Sequence, residues 1–436
     1  METIVSTQKT IVVLGAGYGG LRTALRLEKL IYPRLDYRIT LVDQNRHHQL
    51  ITQLHEVAGA RTPADAVALP LDLLLGLRRI DMHQARVTGI DLSRKAVSTD
   101  RGEMRFDYLV VGLGSETNFY NIPGMREHSF SLKSLGDACL IQGHIHEMLE
   151  WAASQSDPQS REEALTFVVG GGGFTGVELA AELAESLPRL ASRYGLSPEE
   201  PQVVMVEAGK ALLPGLNPLL AMRATRALDR KGVRILFGSP AQSADARGVA
   251  LASGQRVASR TIIWAGGVRA LEALEKWGIP TGAAGRIKVN DFLEMEGHPG
   301  VYVVGDSALV IDQDTKRPAA PSAQFAVAQG EAVARNIYAR IRGAEPEAYH
   351  PHTAGEAISL GASDGVAWIG PLRFSGHPAQ WLKAFIAKHY LWETGGLDLV
   401  RTYAGLGKET VRQDFPQCLP EFRPGAVPAQ TRAGHS

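Results

Sequence analysis

The chain has 436 residues, 44% hydrophobic and 21% charged, a composition that predicts a globular protein of two or three domains. Its 46 lysines and arginines equal its 46 aspartates and glutamates, so no basic excess favours nucleic-acid binding. The sequence has neither a secretory-signal pattern at its start nor an apolar run of about eighteen residues, which predicts a cytosolic or membrane-peripheral location.

The first predicted unit is strand, glycine turn and helix. The apolar run Thr10–Leu14 precedes Gly15-x-Gly17-x-x-Gly20, and a second apolar run ends at Asp43. In this motif the first glycine permits a tight turn, the second lets backbone approach a pyrophosphate, and the third lets the helix pack closely. Asp43 would accept hydrogen bonds from the adenosine ribose. A chance glycine turn is the alternative, but the complete set of elements favours a dinucleotide site.

The same pattern returns after residue 165. The apolar run 166–169 leads into Gly171-x-Gly173-x-x-Gly176, and the following apolar run ends at Glu207, which takes the ribose role. A carboxylate there repels a 2′-phosphate, so NAD is favoured over NADP, although a lysine follows three residues later. Two dinucleotide sites in one chain predict hydride transfer between a nicotinamide and a flavin, hence FAD and NAD(H) as cofactors.

Short alternating stretches follow each unit and predict meanders that close each sheet. They are 96–99, 106–111, 249–252 and 261–264. A later apolar strand ends in Gly305-Asp306, and a helix is predicted from Ser322 to Ile341. We therefore expect an α/β fold with two Rossmann-like dinucleotide-binding domains and a C-terminal membrane-docking region.

The expected domains follow from these elements. They are a discontinuous FAD-binding domain (9–125 and 299–343), an inserted NAD-binding domain (126–298), a C-terminal membrane-associating or dimer region (344–425) and a disordered tail (426–436).

Five segments resemble type II NADH dehydrogenase, the single-subunit NADH:quinone oxidoreductase of the two-dinucleotide-binding-domain flavoproteins. They are His48–Gly59, Phe106–Ser115, Phe174–Glu182, Trp264–Val268 and Pro321–Gly330. The resemblance implies an enzyme without ion pumping, in which NADH reduces FAD by hydride transfer and the flavin then reduces a quinone by two electrons.

The resemblance also implies roles for single residues. Asp306 would bind the flavin ribityl chain, Gly114 would belong to the FAD site, and Gly266 to the NAD site. Glu178 would lie near the nicotinamide and handle protons. From its position alone, Glu178 is equally well explained as a carboxylate that stabilises a helix start.

Further implied contacts concern the quinone. Gln324 and Gln329 match the glutamines that line the family's quinone tunnel, where amides can bind a carbonyl oxygen without adding charge. Spacing alone favours two polar positions on a solvated helix face. Lys383 is a further expected contact on the quinone side.

Two residues depart from the family pattern: Phe174 stands in the second glycine loop where relatives have proline or alanine, and His55 stands where relatives often have tyrosine. With His47 and His48, His55 could suggest a metal cluster. These histidines lack a convincing fourth ligand, so packing is favoured and no metal is expected.

Residues 380–392 predict an amphipathic helix. Its projection places Trp381, Phe385, Lys388 and Trp392 on one face, a composition suited to lipid headgroups. Packing against the FAD domain or a second subunit is the alternative. The resemblance implies peripheral attachment to the cytoplasmic face of the cell membrane and allows a homodimer.

Two rival functions stay open. One is an NADH-dependent reductase of a soluble acceptor of the ferredoxin or rubredoxin type. The other is a redox-sensing flavoprotein like the apoptosis-inducing factors, against which the zero net charge weighs. The two cysteines, Cys139 and Cys418, are too far apart in sequence for a CxxC redox pair.

Overall fold

A computed structural model of the chain describes residues 8–34, 36–313 and 315–409. The expected tail 426–436 and Cys418 lie outside these residues. The described residues divide into two compact units. Those of the first fall within 1–49, 69–116 and 268–353, and those of the second within 50–68, 117–267 and 354–436.

The α-helices of the described residues range from single turns to long amphipathic elements. They are α1 (Tyr18–Ile31), α2 (Leu54–Ala58), α3 (Leu71–Leu75), α4 (Met125–His128), α5 (Leu135–Ser154), α6 (Pro158–Leu165), α7 (Phe174–Arg193), α8 (Pro218–Arg230), α9 (Glu272–Lys276), α10 (Ala323–Ile341) and α11 (His377–Glu409). Within α11 the backbone breaks at Gly396, where φ is 73°.

The β-strands are short, as is usual for α/β domains. They are β1 (Lys9–Leu14), β2 (Tyr37–Asp43), β3 (His47–Gln49), β4 (Ala68–Pro70), β5 (Ile80–Gln84), β6 (Val87–Asp91), β7 (Ala96–Thr99), β8 (Gly102–Arg105), β9 (Tyr108–Val111), β10 (Ser115–Thr117), β11 (Thr166–Gly170), β12 (Gln202–Val206), β13 (Arg234–Leu236), β14 (Ala241–Asp245), β15 (Gly248–Leu251), β16 (Arg256–Ala258), β17 (Thr261–Trp264), β18 (Val268–Ala270), β19 (Ile287–Lys288), β20 (Val301–Val303), β21 (Ala308–Leu309), β22 (Gly355–Ser359), β23 (Gly365–Ile369) and β24 (Leu372–Ser375).

The first unit is built on a parallel sheet of order β20-β9-β1-β2-β5. Residues 11–14 of β1 are completely buried, as expected for a central strand covered on both faces. Helix α10 packs against α1, and Ser322 caps α10 by accepting a hydrogen bond from the Phe325 N–H at 3.2 Å. The helix predicted from Ser322 is confirmed.

The second unit repeats this plan with a parallel sheet of order β13-β12-β11-β17. An antiparallel sheet of strands β14 to β16 packs on it, and the shared core includes Val204, Val249 and Trp264. Strands β22 to β24 form a further antiparallel sheet, against which α11 packs.

The meander prediction is confirmed for two of the four stretches and is wrong for the other two. Strand β7 lies in an antiparallel three-stranded sheet with β6 and β8, and β15 in one with β14 and β16, as predicted. Strands β9 and β17 instead pair in parallel with β1 and β11. Both are almost continuously buried, and a strand buried on both faces belongs in the centre of an α/β sheet.

Candidate functional site

The glycine loop between β1 and α1 has the conformation that a dinucleotide cradle requires. Gly15 has a φ of +93°, and a Cβ there would lie 2.2 Å from the Gly112 carbonyl oxygen. A Cβ on Gly20 would lie 1.9 Å from the Gly15 carbonyl oxygen, whereas one on Gly17 would meet nothing within 4 Å. Gly17 is the N-cap residue of α1 and makes no side-chain capping hydrogen bond. The first turn of α1 therefore has no side-chain cap for its backbone N–H groups, and a helix start of this kind can bind a phosphate.

Asp43 holds this loop from the end of β2. Its Oδ2 accepts a hydrogen bond from the Ala16 N–H at 2.7 Å, and its Oδ1 accepts from the Asn45 N–H at 2.7 Å. Burial raises the pKa of the Asp43 carboxyl group, and these N–H donors oppose the rise. The carboxylate is thus fixed beside the loop, with the second lone pairs of its oxygens available to a ribose.

The second unit reproduces this geometry. Gly171 has a φ of +104°, a Cβ on Gly176 would lie 1.9 Å from the Gly171 carbonyl oxygen, and one on Gly173 would meet nothing within 4 Å. Glu207 accepts from the Gly172 N–H and the Gly209 N–H, each at 2.5 Å. Two independent loops therefore have the same open position and the same carboxylate brace.

Two further glycines, Gly266 and Gly114, were predicted to belong to the cofactor sites. Gly266 packs against the Trp264 ring, and a Cβ there would lie 2.4 Å from a ring carbon. Gly114 has a φ of +77°, and its carbonyl accepts a hydrogen bond from the Ser307 hydroxyl at 3.0 Å. Asp306 lies next to Ser307 in the same unit and accepts from the Ser115 hydroxyl at 2.6 Å.

A small pocket lies at the start of α10 in the first unit. Gln329 lines it and accepts a hydrogen bond from the Gly305 N–H at 2.6 Å. Gln324 is exposed and is not part of this lining. Sequence reasoning missed Arg286, which also lines the pocket and donates to the Ala319 carbonyl at 3.0 Å. Burial lowers the pKa of Arg286, and Asp306 opposes this effect.

In the second unit, Glu178 is the centre of a buried polar group that we call the Glu178 cluster: Glu178, Lys383, Ser359 and His55. Lys383 Nζ donates to Glu178 Oε1 and, at 2.9 Å, to Ser359 Oγ. The Ser359 N–H also donates to Glu178 Oε1, at 3.0 Å. His55 Nε2 lies 3.0 Å from Ser359 Oγ, and its Nδ1 lies 3.6 Å from Glu178 Oε2. Every member thus contacts at least two others.

A second cluster, which we call the Arg61 cluster, consists of Arg61, Glu182 and Glu56. Arg61 Nε donates to both oxygens of Glu182, at 2.9 and 2.8 Å. Arg61 Nη2 lies 3.3 Å from Glu56 Oε1. Glu182 is only 1% exposed. Burial raises the pKa of Glu182 to about 7, although the Arg61 guanidinium opposes the rise. Sequence spacing gave no signal for this cluster beyond the i, i+4 relation of Glu182 to Glu178.

The predicted amphipathic helix is confirmed as part of α11. Trp381, Phe385 and Trp392 are 77%, 64% and 52% exposed, and Lys388 is exposed beside them. In the described part of the chain, no helix is both long enough and apolar enough to cross a membrane. Over the same residues, no group of three or more histidine, cysteine, aspartate or glutamate side chains could hold a metal ion.

Comparison with known proteins first defines the class. Residues 9–330 match the pyridine nucleotide-disulphide oxidoreductase family, and the chain belongs to it. The matched region includes both glycine loops and both carboxylate braces. In structure, the chain is similar to an NDH2 of Plasmodium falciparum in complex with NADH, with a TM-score of 0.82 at 16% identity over 93% of this chain and 99% of that one.

More similar sequences narrow the class. The type II NADH:quinone oxidoreductase of Staphylococcus saprophyticus is 32% identical over 395 residues, which cover 90% of this chain and 97% of that protein. The Staphylococcus aureus protein of the same name is 32% identical over 396 residues, with the same coverage. The chain belongs to the type II NADH:quinone oxidoreductase family, so the predicted resemblance is confirmed. A sulfide:quinone oxidoreductase of Aquifex aeolicus shares the fold at 21% identity, with a TM-score of 0.73 over 89% of this chain and 91% of that one.

Proposed function

We propose that the protein is an FAD-dependent NADH:quinone oxidoreductase. The observation that carries this proposal is the pair of matched glycine cradles, each followed by an uncapped helix start and braced by a strand-end carboxylate. When bound, the flavin supplies the redox chemistry: it accepts a hydride from NADH and returns two electrons to a quinone.

The first cradle is assigned to FAD. Gly15, Gly17 and Gly20 would admit the pyrophosphate to the start of α1, and Asp43 would bind the adenosine ribose. Asp306, fixed by the Ser115 hydroxyl, would bind the ribityl chain. Gly114 would leave room for the flavin beside it.

The second cradle is assigned to NADH. Gly171, Gly173 and Gly176 would receive its pyrophosphate, with Gly266 beside the Trp264 ring. Both oxygens of Glu207 already accept backbone N–H groups, so the carboxylate is fixed in position. A fixed negative charge disfavours the 2′-phosphate of NADPH, which supports a preference for NADH.

Quinone reduction needs acceptor-binding amides and a source of protons. We assign the amide contacts to Gln324 and Gln329 in the first unit. In the second unit, Lys383 Nζ donates a hydrogen bond to Glu178 Oε1. Glu178 would thereby hold or release a proton, and Lys383 would act on the quinone side.

Membrane attachment is proposed through α11. Its exposed Trp381, Phe385 and Trp392 with the neighbouring Lys388 form a surface of apolar rings and a cation, which suits the headgroup region of a bilayer. We propose peripheral attachment at the cytoplasmic face, where the enzyme would collect quinone. A homodimer is compatible with this arrangement.

The test is an acceptor comparison with the purified holoprotein. NADH oxidation is measured with a short-chain quinone, with ferredoxin and with rubredoxin, and the released flavin is identified after denaturation. We expect FAD, rapid oxidation with quinone alone, and a much lower rate with NADPH. Turnover with ferredoxin or rubredoxin and none with quinone would contradict the proposal.

A further inference from the structure

The Glu178 cluster contains two members, Ser359 and His55, to which the proposed function gives no role. His55 lies on α2 and is 3% exposed. It completes a ring of contacts that runs from Glu178 to Lys383, then to Ser359, then to His55, and back to Glu178. The two oxygens of Glu178 therefore face different partners. Oε1 accepts from Lys383 Nζ and the Ser359 N–H, whereas Oε2 faces only the His55 ring within this cluster.

The contacts of the Ser359 hydroxyl favour a hydrogen on Nδ1 of His55. Ser359 Oγ accepts from Lys383 Nζ at 2.9 Å, so its single proton is available for donation. The nearer acceptor is His55 Nε2 at 3.0 Å, compared with Glu178 Oε1 at 3.4 Å. A neutral imidazole that accepts at Nε2 must carry its hydrogen on Nδ1. That N–H then faces Glu178 Oε2 at 3.6 Å, as an electrostatic contact longer than a hydrogen bond.

Burial, together with the nearby cations, keeps His55 neutral. Burial lowers the pKa of His55 well below its ordinary value, and the charges of Lys383 and Arg61 act in the same direction. Among acidic groups, Glu178 faces Nδ1, and Glu56 Oε1 lies 3.9 Å from Nε2. Glu56 and Glu182 are themselves paired with Arg61. His55 is thus placed to act as a neutral donor.

We infer that His55 is a positioning residue for Glu178: its Nδ1–H, fixed by the Ser359 hydroxyl, orients the second carboxylate oxygen and favours the ionised carboxylate. The inference rests on the proposed role of Glu178 in proton handling.

Two amide substitutions distinguish the contribution of His55 Nδ1 from that of Nε2. His55→Asn places an amide nitrogen close to the Nδ1 position and keeps a donor toward Glu178. His55→Gln reaches the Nε2 position, keeps the contact with Ser359 and loses the donor toward Glu178. Ser359→Ala removes the hydroxyl that fixes the tautomer. His144→Gln, at a buried histidine of α5 that contacts Thr261, is the matched control for replacing an imidazole with an amide.

The first readout needs neither NADH nor quinone. The oxidised holoprotein is labelled with ¹⁵N-histidine, and the His55 ring signals are assigned by their loss in His55→Gln. We expect a neutral Nδ1–H tautomer that persists at neutral pH in the wild type and becomes mixed in Ser359→Ala. A charged ring, or an Nε2–H tautomer in the wild type, would overturn the inference.

The second readout is the pH profile of quinone reduction by the NADH-reduced enzyme. We expect the midpoint of the Glu178-dependent limb, identified with Glu178→Gln, to rise by about one pH unit in His55→Gln. His55→Asn, which keeps the donor toward Glu178, should show little of this shift, and His144→Gln should match the wild type. Equal profiles for the two His55 variants would overturn the inference.

Flavin content and unfolding temperature are measured for every variant. If His55→Gln does not fold, the ring signals are assigned by their loss in His55→Asn, and the Ser359→Ala spectrum decides. If the wild type does not reduce quinone at all, the proposed function fails, and the tautomer measurement still tests the role of His55 by itself.

Discussion

Lys383 of α11 and Glu178 of α7 form a partly buried ion pair between positions 205 residues apart in the chain. Their side chains are only 15% and 12% exposed, so removal of one partner leaves the other charge poorly solvated. The pair therefore links the proposed proton-handling carboxylate to the helix proposed to meet the membrane, and its energy can be measured.

We expect Lys383→Met to lower the free energy of unfolding by about 2 kcal/mol, because Glu178 loses its cation in a site of low solvent access. The double variant with Glu178→Gln should lose less than the sum of the two single variants. Denaturant unfolding of the holoprotein gives the coupling energy. The exposed pair Lys276–Glu272, with side chains 68% and 46% exposed, should show a coupling below about 0.5 kcal/mol. Equal coupling in the two pairs would contradict this expectation.

The open glycine positions predict selective loss of each cofactor. A Cβ on Gly17 or Gly173 meets no neighbouring atom within 4 Å, so alanine at either position leaves the fold intact and intrudes only on the space for phosphate. Gly17→Ala should reduce the bound flavin per chain, whereas Gly173→Ala should retain flavin and raise the Kd for NADH roughly ten-fold. Each variant is the control for the other. If the Gly173→Ala protein also lost its flavin, or the Gly17→Ala protein also bound NADH more weakly, the assignment of one cradle to each cofactor would be contradicted.

Gly20→Ala tests the same loop in a different way. Its Cβ would lie 1.9 Å from the Gly15 carbonyl oxygen, a distance that backbone cannot accommodate without moving the helix or the turn. We expect a lower unfolding temperature of the flavin-free protein as well as loss of flavin. An unfolding temperature equal to that of Gly17→Ala would show that the close approach is not required.

Glu207→Gln should weaken the discrimination against NADPH. Glutamine removes the negative charge and can accept only one of the two N–H groups, from Gly172 and Gly209, that Glu207 now accepts. The ratio of kcat/KM for NADH to that for NADPH should fall roughly ten-fold, since the repulsion of a 2′-phosphate is lost. Asp43→Asn, at the brace of the other cradle, should leave this ratio unchanged. A fall of the same size in Asp43→Asn would exclude the proposed role of Glu207.

The Arg61 cluster predicts a pH dependence of stability. Burial raises the pKa of Glu182 from an ordinary 4.5 to about 7. The unfolded chain therefore releases this proton at lower pH than the folded chain does. The associated stability is fully present below pH 4.5 and is lost as the pH rises to about 7, by at most about 3 kcal/mol. As the pH rises over this range, the unfolding temperature of the wild type should fall relative to that of Glu182→Gln. Parallel curves for the two proteins would contradict the raised pKa.

Local patterns made both cradles predictable from sequence. A glycine turn needs only a few adjacent residues, and the strand-end acids Asp43 and Glu207 follow their loops within one βαβ unit. Strands β9 and β17 were misassigned because short apolar runs fit both an exposed meander and a buried parallel strand. The structure decides between them by burial.

The contacts of the Glu178 cluster could not be predicted in the same way. Family resemblance indicated Glu178 and Lys383 separately, but no spacing rule relates residues 205 positions apart. Arg61 and Glu182 are 121 positions apart and gave no motif at all. Such pairs are determined by tertiary packing, in which a buried charge requires a partner wherever the fold supplies one.

The most direct measurement is an anaerobic stopped-flow trace of the purified holoprotein, mixed first with NADH and then with a short-chain quinone. The account predicts bleaching of the flavin absorbance in the first step and full recovery in the second. A protein that contains no flavin, or whose flavin is not bleached by NADH, would contradict the central claim that the two cradles serve one hydride-transfer reaction.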